Sequence, residues 1–355
     1  MPDGDRRSLR VSRAAAQLLH RPRKATSTEV VRRLLAVQAQ DLRAARLALR
    51  ARAPALTATS IDTALTEERS LVVAWLGRGT LHLVTAEDYP WLLALTAPRR
   101  FATSRRRLGQ EGVSPDDAER AVAIVERSLA AAGPLTRAEL AERIAARGIR
   151  TEGQATPHLL MLAAIRGVTL LGPLRDGVQA FVLARDWLGT NPRPAERDTA
   201  LAELARRYLA AHGPASAADL AAWAGLPLRD ARAGLGAVAS ELTDAGGDLV
   251  DLVSREPARE RIPARLLPAY DPYLLGWKDR SFAVPAEHAR RVHPGGGLLR
   301  ATATVDGLAA GIWSLRRDGE RLSIDIDPFG SLAHAERAAL DADAEDVARF
   351  LGPKS

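Results

Sequence analysis

Cysteine is absent from the 355 residues. That removes disulfides, thiolate metal ligands and cysteine nucleophiles together, and it fits a reducing compartment. The histidines are His20, His82, His158, His212, His288, His293 and His334, and no two stand at metal-ligand spacing. No metal or other cofactor is expected. No apolar run of about 18 residues occurs, and the opening MPDGDRRSLR lacks a signal-peptide hydrophobic stretch. A membrane partner is therefore not expected, and a cytoplasmic location is. Phosphate-loop and nucleophile-elbow patterns are missing too. Gly295–Gly297 is not followed by Lys-Ser or Lys-Thr and reads as a flexible connector.

Lysine is nearly absent, occurring only at Lys24, Lys278 and Lys354, so arginine supplies the positive charge. An Ala- and Arg-rich composition of the kind GC-rich genomes write accounts for the choice of Arg over Lys. It accounts less well for the net charge of +7 and an isoelectric point near 10.4. That excess favours a polyanionic partner such as nucleic acid.

The length suits two or three domains, and an internal repeat is visible. LAAAGPLTRAELA at Leu129–Ala141 matches LAAHGPASAADLA at Leu209–Ala221. Each copy ends a helix, breaks at Gly-Pro, then places a hydroxyl (Thr136, Ser216) three residues before a carboxylate (Glu139, Asp219), as a capping box requires. A third helix follows each copy. The first is then followed by VTLLGPLRDGVQAFVLARDW, two apolar strands joined at Asp176-Gly177. The second is followed by a shorter strand at Asp248–Val253. Three helices and a β-hairpin form the winged-helix order, in which the third helix usually enters a DNA groove.

The N-terminal region reads the same way. It has helices at Leu9–Leu19, Ser27–Val37 and Leu42–Arg52, another opening at Ser60, and two strands within Leu71–Val84. Turns at Asp306-Gly307 and Asp318-Gly319 then space a three-stranded antiparallel meander, closed by a helix at Leu332–Leu351. Residues 1–110, 111–190 and 191–290 are three expected winged-helix units, with 291–355 holding the C-terminal hairpins and helix. Thr190–Asp198, rich in proline, is the expected linker.

Basic clusters mark where DNA would lie. Arg99, Arg100, Arg105, Arg106 and Arg107 crowd one short stretch, Arg21, Arg23 and Lys24 another, and either can neutralise phosphates without reading sequence. In a chain only 4% aromatic, LLPAYDPYLLGWKDRS stands out. It sets Tyr270, Tyr273 and Trp277 beside Lys278 and Arg280; at least two of the three rings read as core anchors.

VQAQD, Val37–Asp41, interrupts an otherwise helical pattern with two amides. On a continuous helix, residues two apart diverge by roughly 200°, so Gln38 and Gln40 share a face only if the chain is extended at Ala39. Asp41 is then the natural N-cap of LRAARLAL. On these residues alone, both amides simply cap or bridge the break.

Together LLAVQAQD, WLGRGTLHLV, LLPAYDPYLLGWKDRS and HPGGGLLRATATVDGLAAGIW resemble, in order, the winged-helix DNA glycosylase family of AlkZ and YcaQ. The resemblance implies an α+β, mostly α fold: three tandem winged-helix units in a C-shaped arrangement with a C-terminal antiparallel β meander. It implies a monofunctional glycosylase, acting as a monomer on double-stranded DNA, that releases N7-alkylguanine and leaves an abasic site. The family's Gln–apolar–Gln or Gln–apolar–Asp motif falls on Gln38-Ala39-Gln40, which assigns catalysis to Gln38 and Gln40. The Gln-Gln form is similar to the self-resistance branch, which removes bulky or crosslinking natural-product adducts. DNA contacts are assigned to Arg78, His82, Arg99, Arg100, Arg105, Arg106, Lys278, Arg280, Arg316 and Arg317. A groove-probing β-hairpin falls on the Asp306-Gly307 or the Asp318-Gly319 tip. The competing readings are a non-enzymatic winged-helix transcriptional regulator and an inactive glycosylase fold that shields adducts.

Overall fold

A computed structural model describes residues 3–20, 24–175, 177–189, 196–256, 258, 261–318 and 321–352. Arg21, Arg23, Asp176, Gly319 and most of the expected linker lie outside the described residues. The chain forms two compact units, Asp62–Ala200 and Met1–Ile61 with Leu201–Ser355.

In Asp62–Ala200, four antiparallel strands hydrogen-bond in the order Thr80–Thr85, Leu71–Leu76, Thr169–Arg175, Val178–Leu183. Val73 pairs with Leu171, so two hairpins that the sequence assigns to separate winged helices share one sheet. The sheet thus runs across the expected boundary at residue 110. The reason is apolar: Val72, Val73, Leu83, Val84 and Leu170 are all buried, and strands apolar on both faces need cover on both.

The helices Pro115–Ala132, Arg137–Ala145 and Ala155–Ile165 follow the expected order, and Thr136 and Glu139 form the capping box. The third of them is not a groove reader. Ala155, Leu159, Leu160, Leu162, Ala163 and Ile165 are buried around its circumference, and it packs on Pro98–Gln110 and Pro115–Ala132.

The other unit holds a four-stranded antiparallel sheet in the order Arg321–Pro328, Leu308–Asp318, Thr302–Val305, Arg265–Leu267. The meander is as expected; the fourth strand is too short to announce itself. The closing helix His334–Leu351 lies on Arg265–Leu267 and on Leu42–Arg50, burying Leu340, Val347 and Phe350. The second repeat copy forms Arg197–His212, Ala217–Ala224 and Leu228–Ala237, then a two-stranded wing of Leu242–Asp244 and Val250–Leu252. Ser216 and Asp219 form its capping box.

Tyr273 and Trp277 are core, 1% and 2% exposed, as the aromatic segment suggests. The Tyr273 hydroxyl donates to the Gly307 carbonyl and the Trp277 indole N–H to the His212 carbonyl, at 3.0 and 2.9 Å. The N-terminal helices are Asp3–Ala16, Ser27–Leu34 and Leu42–Arg50. The next, Ala58–Thr66, opens two residues before Ser60, because Thr57 and Ser60 each donate a backbone N–H to the other's hydroxyl.

Candidate active site

The helix Ser27–Leu34 stops because Leu35 turns into the left-handed region, with φ 68° and ψ −49°. The chain beyond it is extended at Val37–Gln38. Strand-like alternation then sorts the side chains. Val37 and Ala39 are buried at 0% and 1% exposure, while Gln38 is half-buried and Gln40 exposed. The two amides meet: Gln38 Nε2 donates to Gln40 Oε1 at 2.6 Å.

That bond leaves the Gln38 carbonyl and one N–H of its NH₂, and the whole Gln40 NH₂, for other partners. Asp41, at φ −111° and ψ 105°, caps the next helix, its Oδ1 accepting from Arg43 N and Ala44 N at 2.9 and 3.2 Å.

Buried arginines fix this helix at its far end. Arg50 and Arg52 are both fully buried. Arg50 donates to Asp343 Oδ2 and Asp346 Oδ2, each at 3.0 Å. Arg52 grips both oxygens of Asp271 at 2.9 Å and also donates to Gln17 Oε1 at 2.8 Å. Charge pattern alone did not reveal these ties, because burial of an arginine leaves no mark in its neighbours along the chain.

Alongside Asp41 runs an open groove of about 200 Å³. Arg43, Ala44 and Leu47 line one side of it, and Pro268, Ala269, Ala301 and Trp313–Leu315 the rest. Nothing local announces it, since its walls come from four separate stretches of chain. A larger groove, about 1060 Å³, contains neither glutamine and is lined by Arg13 and Lys278 together with Asp5, Asp219, Asp248 and Asp279.

The structure separates the two hairpin candidates. Asp306-Gly307 is tied down: Arg10 Nε donates to the Asp306 carbonyl at 2.8 Å and Ile262 N–H to its carboxylate at 3.3 Å. A Cβ at Gly307 would fall 2.7 Å from Ile262 and 2.8 Å from the Tyr273 hydroxyl, so this tip is packed. The hairpin of Leu308–Asp318 and Arg321–Pro328 is the remaining candidate; its Gly319 tip and the Arg317 side chain lie outside the described residues. On it, Arg316 is 78% exposed and pairs with Asp325 at 3.4 Å.

The other basic residues fall into two groups. In Asp62–Ala200, Pro98–Gln110 buries Ser104 and Leu108 and presents Arg99, Arg105 and Arg106 on its exposed face. Arg78 is exposed on the turn between Leu71–Leu76 and Thr80–Thr85. Arg100 packs under that turn, its Cδ 3.5 Å from where a Gly79 Cβ would be; burial, then Arg99, lowers its pKa.

Partly buried His82 bonds through Nδ1 to the Thr80 carbonyl at 2.9 Å. Burial, then Arg78, lowers its pKa to about 4. In the other unit, Lys278 is exposed, while Arg280 donates back to the Leu274 carbonyl at 2.6 Å. Among the described residues no His, Asp and Glu side chains cluster as a metal site, and no helix is long and apolar enough to cross a membrane.

The family model for AlkZ-like DNA glycosylases matches residues 31–350. The interstrand DNA cross-link repair glycosylase of Streptomyces sahachiroi is 30% identical over 369 aligned positions, covering 96% of this chain and 95% of the relative. The solved structure of Streptomyces sahachiroi DNA glycosylase AlkZ is similar with a TM-score of 0.78 at 26% identity, covering 97% of this chain and 96% of that one.

Proposed function

The chain belongs to the AlkZ-like DNA glycosylase family, and on that premise we propose that it hydrolyses the N-glycosidic bond of N7-alkylguanine in duplex DNA, with Gln38 and Gln40 at the reacting centre. The observation that carries the proposal is the convergence of two neutral amides, 2.6 Å apart, on an extended turn beside a helix N-terminus.

Neutral amides suit this leaving group. Alkylation at N7 places a positive charge on guanine, so the C1′–N9 electron pair neutralises the base as the bond breaks. No general acid is needed. A water oxygen bonds to C1′ and loses a proton to solvent, leaving an abasic sugar. The Gln38 carbonyl, free of protein partners among the described residues, accepts a hydrogen bond from that water and lends partial negative charge to the oxocarbenium-like sugar. The Gln40 NH₂ donates to a sugar or phosphate oxygen. Asp41 holds the helix end through Oδ1, and its charge adds to the same field.

The Arg-rich face of Pro98–Gln110, with Arg78 and His82, contacts DNA backbone, as do Lys278, Arg280, Arg316 and Arg317. The hairpin Leu308–Asp318 with Arg321–Pro328 is assigned the groove-probing role. One chain acts alone, as a monomer. The S. sahachiroi relative is named for interstrand DNA cross-link repair, which supports crosslinking adducts as substrates; bulky natural-product adducts and a self-resistance role belong to the same proposal.

The test is incubation with duplex DNA carrying 7-methylguanine or an N7-linked natural-product adduct, followed by alkali cleavage. Alkali-labile abasic sites are expected. A protein that binds such DNA and releases no base from any adduct is a regulator or a shield, not this enzyme.

A further inference from the structure

The groove beside Asp41 begins one residue from the amide pair, since Asp41 follows Gln40 directly. Hydrolysis as derived above makes no use of it. Resting on the glycosylase function proposed above, we propose that this groove is a specificity subsite, which receives a flat apolar group carried on the N7 substituent of the damaged guanine.

Chemistry places the two close together. N7 and N9 belong to the same five-membered ring of guanine. With C1′ held at the amides, whatever hangs from N7 starts its course next to the groove. Seven of the ten lining residues are apolar, Leu47, Trp313 and Leu315 the largest of them, and Asp41, Arg43 and Ser314 are polar.

Trp313 makes one wall preformed. Its indole N–H donates to the Leu267 carbonyl at 2.7 Å and only 7% of the residue is exposed. A ring can lie against it without first ordering a loose side chain. The volume, about 200 Å³, corresponds to roughly seven waters at about 30 Å³ each. That is room for a ring system and far more than a methyl group fills. Of the two charged side chains in the lining, Asp41 complements the cationic base, while Arg43 opposes it. Ala44, Ala269 and Ala301 keep the groove open because they are small.

The experiment compares two substrates in each protein: duplex DNA with 7-methylguanine, and duplex DNA with an N7-guanine adduct of styrene oxide. Kinetics are measured for wild type, Ala269→Leu and Ala301→Leu. Filling the groove is expected to lower kcat/KM for the aryl adduct relative to 7-methylguanine by about tenfold or more, chiefly by raising KM. A folding defect would lower both rates together and leave the ratio unmoved. Ala269→Val and Ala301→Val, which add less bulk, serve where a leucine variant does not fold, and should move the ratio the same way by less. An unchanged ratio in folded variants overturns the subsite alone. A wild-type protein that releases neither base overturns the glycosylase function, and the subsite with it.

Discussion

Arg52 and Asp271 meet as a bidentate ion pair, both contacts at 2.9 Å and both side chains at 0% exposure. Arg52 stands just past the helix Leu42–Arg50, whose other end presents the glutamine turn. Removing one partner strands a buried charge, which typically costs about 3–5 kcal/mol. Asp271→Ala should therefore lose stability of that order in urea unfolding. A loss below about 1 kcal/mol would mean that the pair does not hold the helix.

Asp41 presents a choice between cap and catalyst. Asp41→Ala removes the acceptor for Arg43 N and Ala44 N and should cost about 1 kcal/mol while slowing base release. Asp41→Asn keeps a capping oxygen, so stability and most of the rate should return. If Asn is as slow as Ala while remaining stable, the carboxylate itself takes part in the chemistry.

Much of this site was legible in the sequence. Two amides on a two-residue spacing, followed by a good N-cap, demanded a break in the helix, and the chain is extended there. Capping boxes at Thr136 and Ser216 were legible because their chemistry is local. What was not legible depends on distant partners. The pairing of Val73 with Leu171 merges hairpins about a hundred residues apart, a join that no local period announces. The tying of Asp306 by Arg10 settles which hairpin tip is packed, and the groove walls come from four separate stretches of chain.

Arg99, Arg105 and Arg106 lie exposed on one helix whose opposite face is buried. Each phosphate contact contributes about 0.9 to the slope of log K against log salt concentration on B-DNA. The triple alanine variant should weaken DNA binding and flatten that slope by up to about 2.7, with no change in sequence preference. Titrations at several salt concentrations check it; an unaltered slope would place the DNA elsewhere.

Three histidines resist protonation in the folded state. His212 is lowered to about 3, chiefly by burial, and His82 and His293 to about 4, by burial and then by Arg78 and Arg280. In the unfolded chain they take up protons near pH 6.5. Between about pH 6.5 and 4 the unfolded state therefore binds more protons, and stability falls as pH drops. Fully buried His212 contributes up to about 1.4 kcal/mol per pH unit in that window. Urea unfolding at pH 7.5, 6 and 5 should show the decline, less steep in His212→Leu; an equal slope would remove His212 from the effect.

Gln38 and Gln40 form one hydrogen-bonded unit, and the proposal that it acts as one in catalysis is tested most directly by single-turnover release of 7-methylguanine by Gln38→Ala, Gln40→Ala and the double variant, with DNA affinity measured alongside. Each single variant should lose on the order of 10²-fold in rate, as expected for one preorganised polar contact. The double variant should lose far less than the product of the two, with affinity nearly unchanged in all three. Wild-type rates in both single variants, at wild-type affinity, would place the chemistry elsewhere in the molecule.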